Sequence, residues 1–284
     1  MRIDSHQHFW KYDPRRDAWI TDEMAVLKRD FLPEELMPEL RENGIGGSVA
    51  VQAAHSENET RFLLELADQH PEILGVVGWV DLRQPDAAGR LEFFSRFAKF
   101  RGVRHVVQAE PDDRFLLSED FCRGISLLRR FGFTYDILIY PKHLPAACEF
   151  VAKFPEQRFV VDHLAKPPIR EKNLGAWAKG MRAIAAQPNV FCKLSGLITE
   201  ADWRSWRPDD CKPCLDVAFE AFGADRLMFG SDWPVCLLAG TYRQVKDLIA
   251  GYVCRLSAAE QEKIFGLNAA RFYGLRTPRH GPAT

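Results

Sequence analysis

The stretch ILGVVGWV (residues 73–80) is almost entirely apolar, and FVVDHL (residues 159–164) repeats this character later in the chain. An antiparallel strand with one solvent-exposed face would alternate apolar and polar side chains instead. Strands that are apolar on both faces are typical of parallel sheets, which helices cover on both sides. The two stretches therefore predict a buried parallel sheet.

Short runs of this kind recur along the chain, and we predict eight of them as strands. They span residues 2–9, 47–54, 74–82, 103–108, 134–140, 158–164, 189–197 and 226–233. Amphipathic segments with helical spacing lie between most of them, over 58–70, 86–100, 121–131, 143–154, 176–187, 214–223 and 241–253. Eight strands that alternate with helices predict an α/β fold, the (β/α)8 TIM barrel, whose typical size is about 250 residues.

A doubly wound open sheet is the rival architecture for alternating strands and helices. It would need a phosphate-binding loop such as G-x-G-x-x-G after its first strand. The first strand runs instead into HFWKYDPRRDAW (residues 8–19), which has no glycine. No repeat or linker divides the chain, so we predict one domain over 1–275 and a disordered tail over 276–284.

The composition excludes several classes of function. Hydrophobic residues make up 46% and charged residues 27% of the chain, and the formal net charge is −1. This balance lacks the excess of positive charge that is typical of proteins that bind nucleic acid or an anionic membrane. The sequence has no membrane-spanning run and no apolar leader. The seven cysteines are an odd number, and the one close pair, Cys211 and Cys214, is a weak zinc or redox signal. Because this pattern does not indicate a disulfide framework, we predict a cytoplasmic protein.

Polar side chains stand at the end of nearly every predicted strand, where a barrel places its chemistry. Listed by strand, they are His6 and His8; Gln52 and His55; Trp79 and Asp81; Arg104, His105 and Gln108; Asp136 and Tyr140; Asp162 and His163; Lys193 and Ser195; Asp232 and Trp233. His6 and His8 are two apart on a strand, so their imidazoles point to one face. Any one of these groups could be a satisfied core residue, but so many together indicate a site.

Three of these strand ends carry a resemblance to a known family. DSHQHF (residues 4–9), VVDHLAKP (160–167) and FGSDWP (229–234) resemble the amidohydrolase superfamily. Together with GVRHVVQAEPD (102–112) and KLSGLITEADW (193–203), they resemble its amidohydrolase-2 lactonase branch, which acts on L-fucono- and L-rhamnonolactones. The H-x-H motif alone is weak, whereas the ordered set covers essentially the whole chain.

The resemblance implies a hydrolase that opens a sugar-acid lactone to the free aldonic acid. Asp232 would be the general base for the attacking water, and His6, His8 and His163 would surround that water or polarise the carbonyl. Six further residues would bind the substrate: His55, Trp79, Arg104, His105, Gln108 and Trp233.

The resemblance also bears on metal binding. Metal-rich members of the superfamily add a carboxylated lysine or a glutamate on the fourth strand and a histidine on the fifth. Here the fourth strand ends in Gln108 and the fifth, TYDILIY (134–140), has no histidine, which argues against a binuclear centre. His6, His8 and Asp232 could hold one zinc ion. A lactone is an activated ester, however, so we expect any divalent metal to be non-essential.

Alternative functions remain open at this point. A metal-dependent decarboxylase of an aromatic acid would use the same histidines and Asp232, and a lactonase for an aromatic-derived dicarboxylate would need several arginines. Only Arg104 stands at a strand end, with Arg15 and Arg16 in the first loop, which favours a neutral sugar lactone as the small-molecule partner. A non-enzymatic binding protein on an inactive barrel is disfavoured, because His6, His8, His163 and Asp232 are all present. The sugar, the ring size and the oligomeric state, a homo-oligomer included, stay open.

Tryptophans are the candidate stacking surfaces for the C–H face of a sugar ring. They are Trp10, Trp19, Trp79, Trp203, Trp206 and Trp233.

Overall fold

The computed structural model describes residues 1–276. Eight parallel strands form one sheet in the order of the chain, each hydrogen-bonded to the next. Their bounds are β1 (Ile3–Gln7), β2 (Gly47–Val51), β3 (Ile73–Gly78), β4 (Phe100–Val106), β5 (Thr134–Leu138), β6 (Phe159–Val161), β7 (Val190–Leu194) and β8 (Leu227–Phe229). The predicted (β/α)8 barrel is confirmed.

All eight strands end earlier than predicted, and after β6 and β8 the chain turns at polar residues. The clearest case is β6, which stops at Val161, while His163 to Lys166 adopt φ values of 50 to 54°. Asp232, after β8, has a φ of 57°. A left-handed backbone cannot continue a strand. The same turns place these side chains at the mouth of the barrel.

A helix follows each strand. The eight helices are α1 (Pro33–Glu42), α2 (Glu57–Gln69), α3 (Ala87–Ser95), α4 (Glu119–Leu128), α5 (Leu144–Lys153), α6 (Gly175–Ala185), α7 (Pro208–Phe222) and α8 (Tyr242–Val253). Helix α1 is absent from the sequence prediction, and its internal Pro38 weakens the helical signal there. Also unpredicted is the C-terminal unit, made of α9 (Ala258–Glu262), a π-helical turn (Lys263–Leu267) and α10 (Asn268–Tyr273).

The barrel closes where the first strand meets the end of the last. Gln7 and Trp233 form a parallel bridge. The His8 amide donates to the Trp233 carbonyl at 2.7 Å, and the Asp232 amide donates to the His6 carbonyl at 2.9 Å. Three of the predicted catalytic residues therefore lie on this seam, held by backbone hydrogen bonds.

The close cysteine pair lies inside α7. Cys211 and Cys214 are both buried in the hydrophobic core between the barrel and its helices. Burial raises the pKa of each thiol to about 12. Metal binding and redox chemistry need a thiolate, so these side chains serve as core packing.

Two other expectations concern the chain as a whole. Within residues 1–276, no helix combines the length and the apolar character that a bilayer crossing requires. Apart from Arg276, the predicted tail over 276–284 lies outside the described residues. The domain boundaries, 1–275, stay a prediction.

Candidate active site

A cavity of about 880 Å³ opens at the carboxyl ends of the strands. Of the ten residues predicted as catalytic or substrate-binding, six line it: His8, His55, Arg104, Gln108, His163 and Asp232. His6 is fully buried and contacts His8, with 3.2 Å between their Nε2 atoms. Within residues 1–276, Trp79, His105 and Trp233 are not part of the lining.

One oxygen of Asp232 faces all three predicted imidazoles. Its Oδ1 atom lies 3.4 Å from His8 Nε2, 3.7 Å from His163 Nε2 and 3.8 Å from His6 Nε2. The first and last strands supply His6, His8 and Asp232, and the turn after β6 supplies His163. The structure therefore brings the four residues predicted as catalytic into one cluster.

Hydrogen bonds at the outer nitrogens orient two of the rings. His8 Nδ1 lies 2.7 Å from the Val51 carbonyl, which only accepts, so its proton is on Nδ1 and its lone pair on Nε2. His163 Nδ1 lies 2.9 Å from Ser195 Oγ. The Asp232 carboxylate beside His163 Nε2 favours a proton on that atom, with the Ser195 hydroxyl donating to Nδ1. His163 therefore presents an N–H to the cavity.

The electrostatics of the cluster make Asp232 a base. Burial lowers the pKa of His6, His8 and His163 below the ordinary value, so all three rings are neutral at pH 7. Burial alone would raise the pKa of Asp232, but its neighbours, the N–H of His163 first and the Lys166 ammonium among the others, outweigh it and lower this pKa. The result is an ionised carboxylate among neutral imidazoles.

A buried ionic network forms the floor of the site. Lys193 Nζ lies 2.5 Å from Asp136 Oδ2 and 2.9 Å from Asp162 Oδ1. Arg104 Nη1 lies 2.9 Å from Asp162 Oδ2, and the Tyr273 hydroxyl donates to Asp136 Oδ2 at 2.7 Å. Two cations thus face two carboxylates, which is how buried charges are tolerated. Tyr273 belongs to the unpredicted helix α10, so that helix helps to build the floor.

Arg104 links this floor to the cavity. Its Nη2 atom donates to the Gln52 carbonyl and, at 3.1 Å, to Gln52 Oε1. Its Nη1 atom lies 3.3 Å from His6 Nε2. The guanidinium is therefore held across the barrel, with a positive charge beside the catalytic cluster.

His55 forms one wall of the cavity with two predicted residues behind it. Its ring stacks on His105 with centroids 4.0 Å apart and lies 5.6 Å from Trp79. Trp79 Nε1 donates to His105 Nδ1 at 3.3 Å, and His105 Nε2 lies 2.6 Å from Glu110 Oε1. Trp79 and His105 therefore support His55 from outside the lining.

Within residues 1–276, three of the six candidate tryptophans line the cavity, and Trp79, Trp206 and Trp233 do not. Trp10, Trp19 and Trp203 line the cavity. Trp233 packs edge-on against Phe31 at 5.3 Å in the core. Flat apolar surfaces are thus available from the first loop and from the loop after β7.

One polar pair of the lining was missed in the sequence. Lys166 Nζ donates to Glu200 Oε1 at 2.8 Å, and both residues line the cavity. Burial opposes the charge on Lys166, but the Glu200 carboxylate outweighs it and raises the lysine pKa. Both residues lie in the quoted motifs, VVDHLAKP and KLSGLITEADW, and only the left-handed turn shows that Lys166 faces the site.

Glu59 supports the cavity wall from behind. It lies in the first turn of α2 and is 8% exposed. Its carboxylate accepts hydrogen bonds from the amides of Ala53 at 3.0 Å and Ala54 at 2.6 Å, both of which line the cavity. Burial raises the pKa of Glu59 to about 7.

Glu59→Gln should make stability less dependent on pH. The folded protein keeps the Glu59 proton up to about pH 7, whereas the ordinary value is 4.5. The stability that this proton contributes is complete below pH 4.5 and is lost as pH rises through 7. Between pH 6 and 8 the unfolding free energy of the wild type should fall by about 1 kcal/mol relative to Glu59→Gln, measured by urea unfolding.

The control for this experiment is Glu65→Gln, since Glu65 is exposed on the same helix. It should keep the wild-type pH dependence. Equal pH dependence in the wild type and Glu59→Gln would contradict the prediction.

The cluster also offers a set of metal donors. His6 Nε2, His8 Nε2 and Asp232 Oδ1 lie within 4.8 Å of one another, and His6, Asp162 and His163 form a second such group. Nitrogen and oxygen donors suit zinc, and the Val51 carbonyl orients His8 as an outer-shell partner would. By type and spacing these donors suit one ion on His6, His8 and Asp232, if both rings carry a lone pair on Nε2.

Comparison with known proteins places this site in a family. The family model described as Amidohydrolase matches residues 3–275. The chain belongs to the amidohydrolase family. The resemblance inferred from the three strand-end motifs is confirmed.

Two curated relatives of this amidohydrolase are similar along nearly the whole chain. An L-fucono-1,5-lactonase from Burkholderia multivorans is 46% identical, with 98% of this chain and 97% of that protein covered. An L-fucono-1,5-lactonase from Burkholderia ambifaria is 38% identical, with the same coverage. The barrel also superposes with a TM-score of 0.94 on the crystal structure of an amidohydrolase from Burkholderia multivorans with bound zinc, at 46% identity and covering 97% and 100% of the two chains.

Proposed function

We propose that this amidohydrolase hydrolyses a sugar-acid lactone of the L-fucono- or L-rhamnono-type to the free aldonic acid. The observation that carries the proposal is the ionised Asp232 carboxylate among three neutral imidazoles at the base of the cavity. Similarity to two L-fucono-1,5-lactonases supports this substrate class.

The proposed reaction begins when Asp232 takes a proton from a water molecule. The water oxygen attacks the lactone carbonyl carbon and forms a tetrahedral oxyanion. His163 presents an N–H and Arg104 a positive charge to the cavity, and both stabilise this negative charge. Collapse of the intermediate breaks the bond to the ring oxygen, which takes the proton from Asp232. The product is an open-chain hydroxy acid.

The charges around the cavity favour a neutral, polyhydroxylated ring. Three cationic side chains line it among residues 1–276, and each already has a carboxylate partner. These pairs are Arg16 with Asp17, Arg104 with Asp162, and Lys166 with Glu200. A dicarboxylate lactone would need cations without such partners. Paired charges can instead exchange hydrogen bonds with hydroxyl groups, beside the faces of Trp10, Trp19 and Trp203.

A panel of lactones followed with a pH indicator tests the proposal, because ring opening releases acid. L-fucono-1,5-lactone and L-rhamnono-γ-lactone should be hydrolysed, and 4-sulfomuconolactone should not. Carbon dioxide from 2,6-dihydroxybenzoate without any lactone turnover would overturn the proposal in favour of an aromatic acid decarboxylase.

We also propose that a bound metal is not required. An ion on His6, His8 and Asp232 would act as a Lewis acid or activate water. The guanidinium of Arg104 already lies 3.3 Å from His6 Nε2, the atom that would have to bind the ion. A carboxylate base and hydrogen-bond donors suffice for an activated ester.

Prolonged chelation is therefore expected to leave kcat and KM unchanged. The check is an assay of the metal-depleted enzyme, with residual zinc measured by elemental analysis. A loss of activity that added zinc restores would contradict this prediction.

Other aspects of the function stay predictions. These are a cytoplasmic location and a lack of nucleic-acid and membrane partners, while the oligomeric state, a homo-oligomer included, stays open.

A further inference from the structure

His6 lies between two cations. Lys193 Nζ is 2.9 Å from His6 Nδ1, and Arg104 Nη1 is 3.3 Å from His6 Nε2. An ammonium and a guanidinium only donate hydrogen bonds, whereas a neutral imidazole has one lone pair to accept with. Only one of the two cations can therefore be hydrogen-bonded to the ring.

The surrounding contacts decide in favour of Lys193. Its contact with His6 is the shorter one, and Arg104 Nη1 has a better acceptor in Asp162 Oδ2 at 2.9 Å. The nitrogen opposite Lys193, His6 Nε2, lies 3.2 Å from His8 Nε2, which carries a lone pair. Accepting from Lys193 at Nδ1 leaves the proton on Nε2, where it meets an acceptor.

We propose that Lys193 is a positioning residue that holds His6 in the Nε2–H tautomer and so prevents it from acting as a metal ligand. This proposal gives a structural reason for the metal-independent lactone hydrolysis proposed above. Only its predicted effect on kcat rests on that proposed function.

The position of Lys193 explains why this tautomer matters. Histidines that bind metals usually donate their other N–H to a carboxylate. Here His6 Nδ1 is 3.4 Å from Asp162 Oδ1, but Lys193 Nζ lies 2.9 Å from both atoms. The ammonium thus contacts both atoms from one side and directs a proton at Nδ1, the nitrogen that would itself carry the proton in a metal-ligating His6.

The proton on His6 Nε2 also completes the catalytic cluster. His8 Nε2 and Asp232 Oδ1 are both acceptors, 3.4 Å apart, and His6 Nε2 lies 3.2 and 3.8 Å from them. With one N–H among the three atoms, His6 Nε2 donates a hydrogen bond to His8 Nε2, and the same N–H faces the negative charge of Asp232. Without it the triangle consists of three lone pairs, which is the arrangement that binds a cation.

NMR of the wild-type enzyme tests the tautomer directly. Long-range ¹H–¹⁵N spectra of the histidine-labelled, metal-free protein, assigned with His6→Gln, should show a protonated Nε2 and an unprotonated Nδ1 for His6. A protonated Nδ1 would overturn the proposal. This measurement needs no variant of Lys193 and no substrate, so it stands if lactone hydrolysis is not observed.

Zinc affinity tests the consequence. Lys193→Met combined with Asp136→Asn removes opposite charges together and keeps an acceptor for Tyr273. Zinc binding, measured by competition with a chelator, should become roughly 10- to 100-fold tighter, since the hydrogen bond to an ionised donor no longer opposes it. With zinc absent, kcat should fall while KM changes little.

Lys166→Met combined with Glu200→Gln is the matched control. It also removes one ion pair from the cavity and leaves the net charge unchanged, but Lys166 makes no hydrogen bond to His6 among the described contacts. Its zinc affinity should change several-fold less than that of the Lys193 variant. An equal gain in both would show that loss of any ion pair is sufficient and would overturn the proposal, as would unchanged affinity in the Lys193 variant.

Discussion

Asp232→Asn should lower kcat by about 10²- to 10⁴-fold, the usual contribution of a general base. Asparagine keeps the shape of the side chain but cannot take a proton from water. The Asp232 carboxylate lies 3.4 to 3.8 Å from three neutral imidazoles, and within residues 1–276 no other ionised carboxylate lines the cavity except Glu200, which is paired with Lys166. The measurement is steady-state hydrolysis of L-fucono-1,5-lactone.

Asp247→Asn is the control, because Asp247 is exposed on α8 and pairs with Lys246. It should retain wild-type kinetics. Circular dichroism should show both variants folded, with KM of Asp232→Asn within a few-fold of the wild-type value. Near-wild-type kcat in a folded Asp232→Asn enzyme would rule out the assigned role.

Arg104→Met should lower the free energy of unfolding by about 3–5 kcal/mol, as is typical when one partner of a buried ion pair is removed. Arg104 is 2% exposed and Asp162 is fully buried. Among residues 1–276, the variant leaves Asp162 with one cation, Lys193, and that cation is shared with Asp136. Chemical unfolding followed by circular dichroism measures the loss, and activity should fall as well.

Arg114→Met provides the comparison. Arg114 pairs with Glu149 at 2.9 Å, the distance of the Arg104–Asp162 pair, but both partners are exposed. The expected change is below about 1 kcal/mol. Adding Asp162→Asn to Arg104→Met should restore part of the lost stability, since the buried network then has one lysine for one carboxylate and no excess negative charge. Similar effects of the Arg104 and Arg114 variants would contradict the argument.

The barrel could be predicted from the sequence because buried strands have a recognisable amino-acid composition. Strands covered on both faces, such as 73–80 and 159–164, are apolar at nearly every position, and this signal does not depend on distant contacts. The position of the site followed from the same argument, since a barrel gathers its strand ends at one mouth. His6, His8, His163 and Asp232 could therefore be assigned to one cluster before any distance was known.

The pairing of buried charges was beyond sequence reasoning. Lys193 and Asp136 were both placed at strand ends, but their partners come from strands and helices far along the chain. The left-handed turn that brings Lys166 into the cavity was equally hidden, because its residues have no glycine to indicate a positive φ. Trp79 and His105 could be placed at the mouth, but not in a layer behind His55.

The seam between the two ends of the barrel has a consequence for biosynthesis. The residues joined there, such as Ser5 with Phe229 and Asp4 with Ser231, are more than 220 positions apart in the chain. His6 and His8 leave the ribosome before the rest of the barrel, while the base that completes their cluster is among the last parts of the barrel to be made. A nascent chain thus carries no functioning centre until its final strand has docked. Catalytic turnover therefore reports closure of the barrel. During refolding, activity should recover with the kinetic phase in which the first and last strands join.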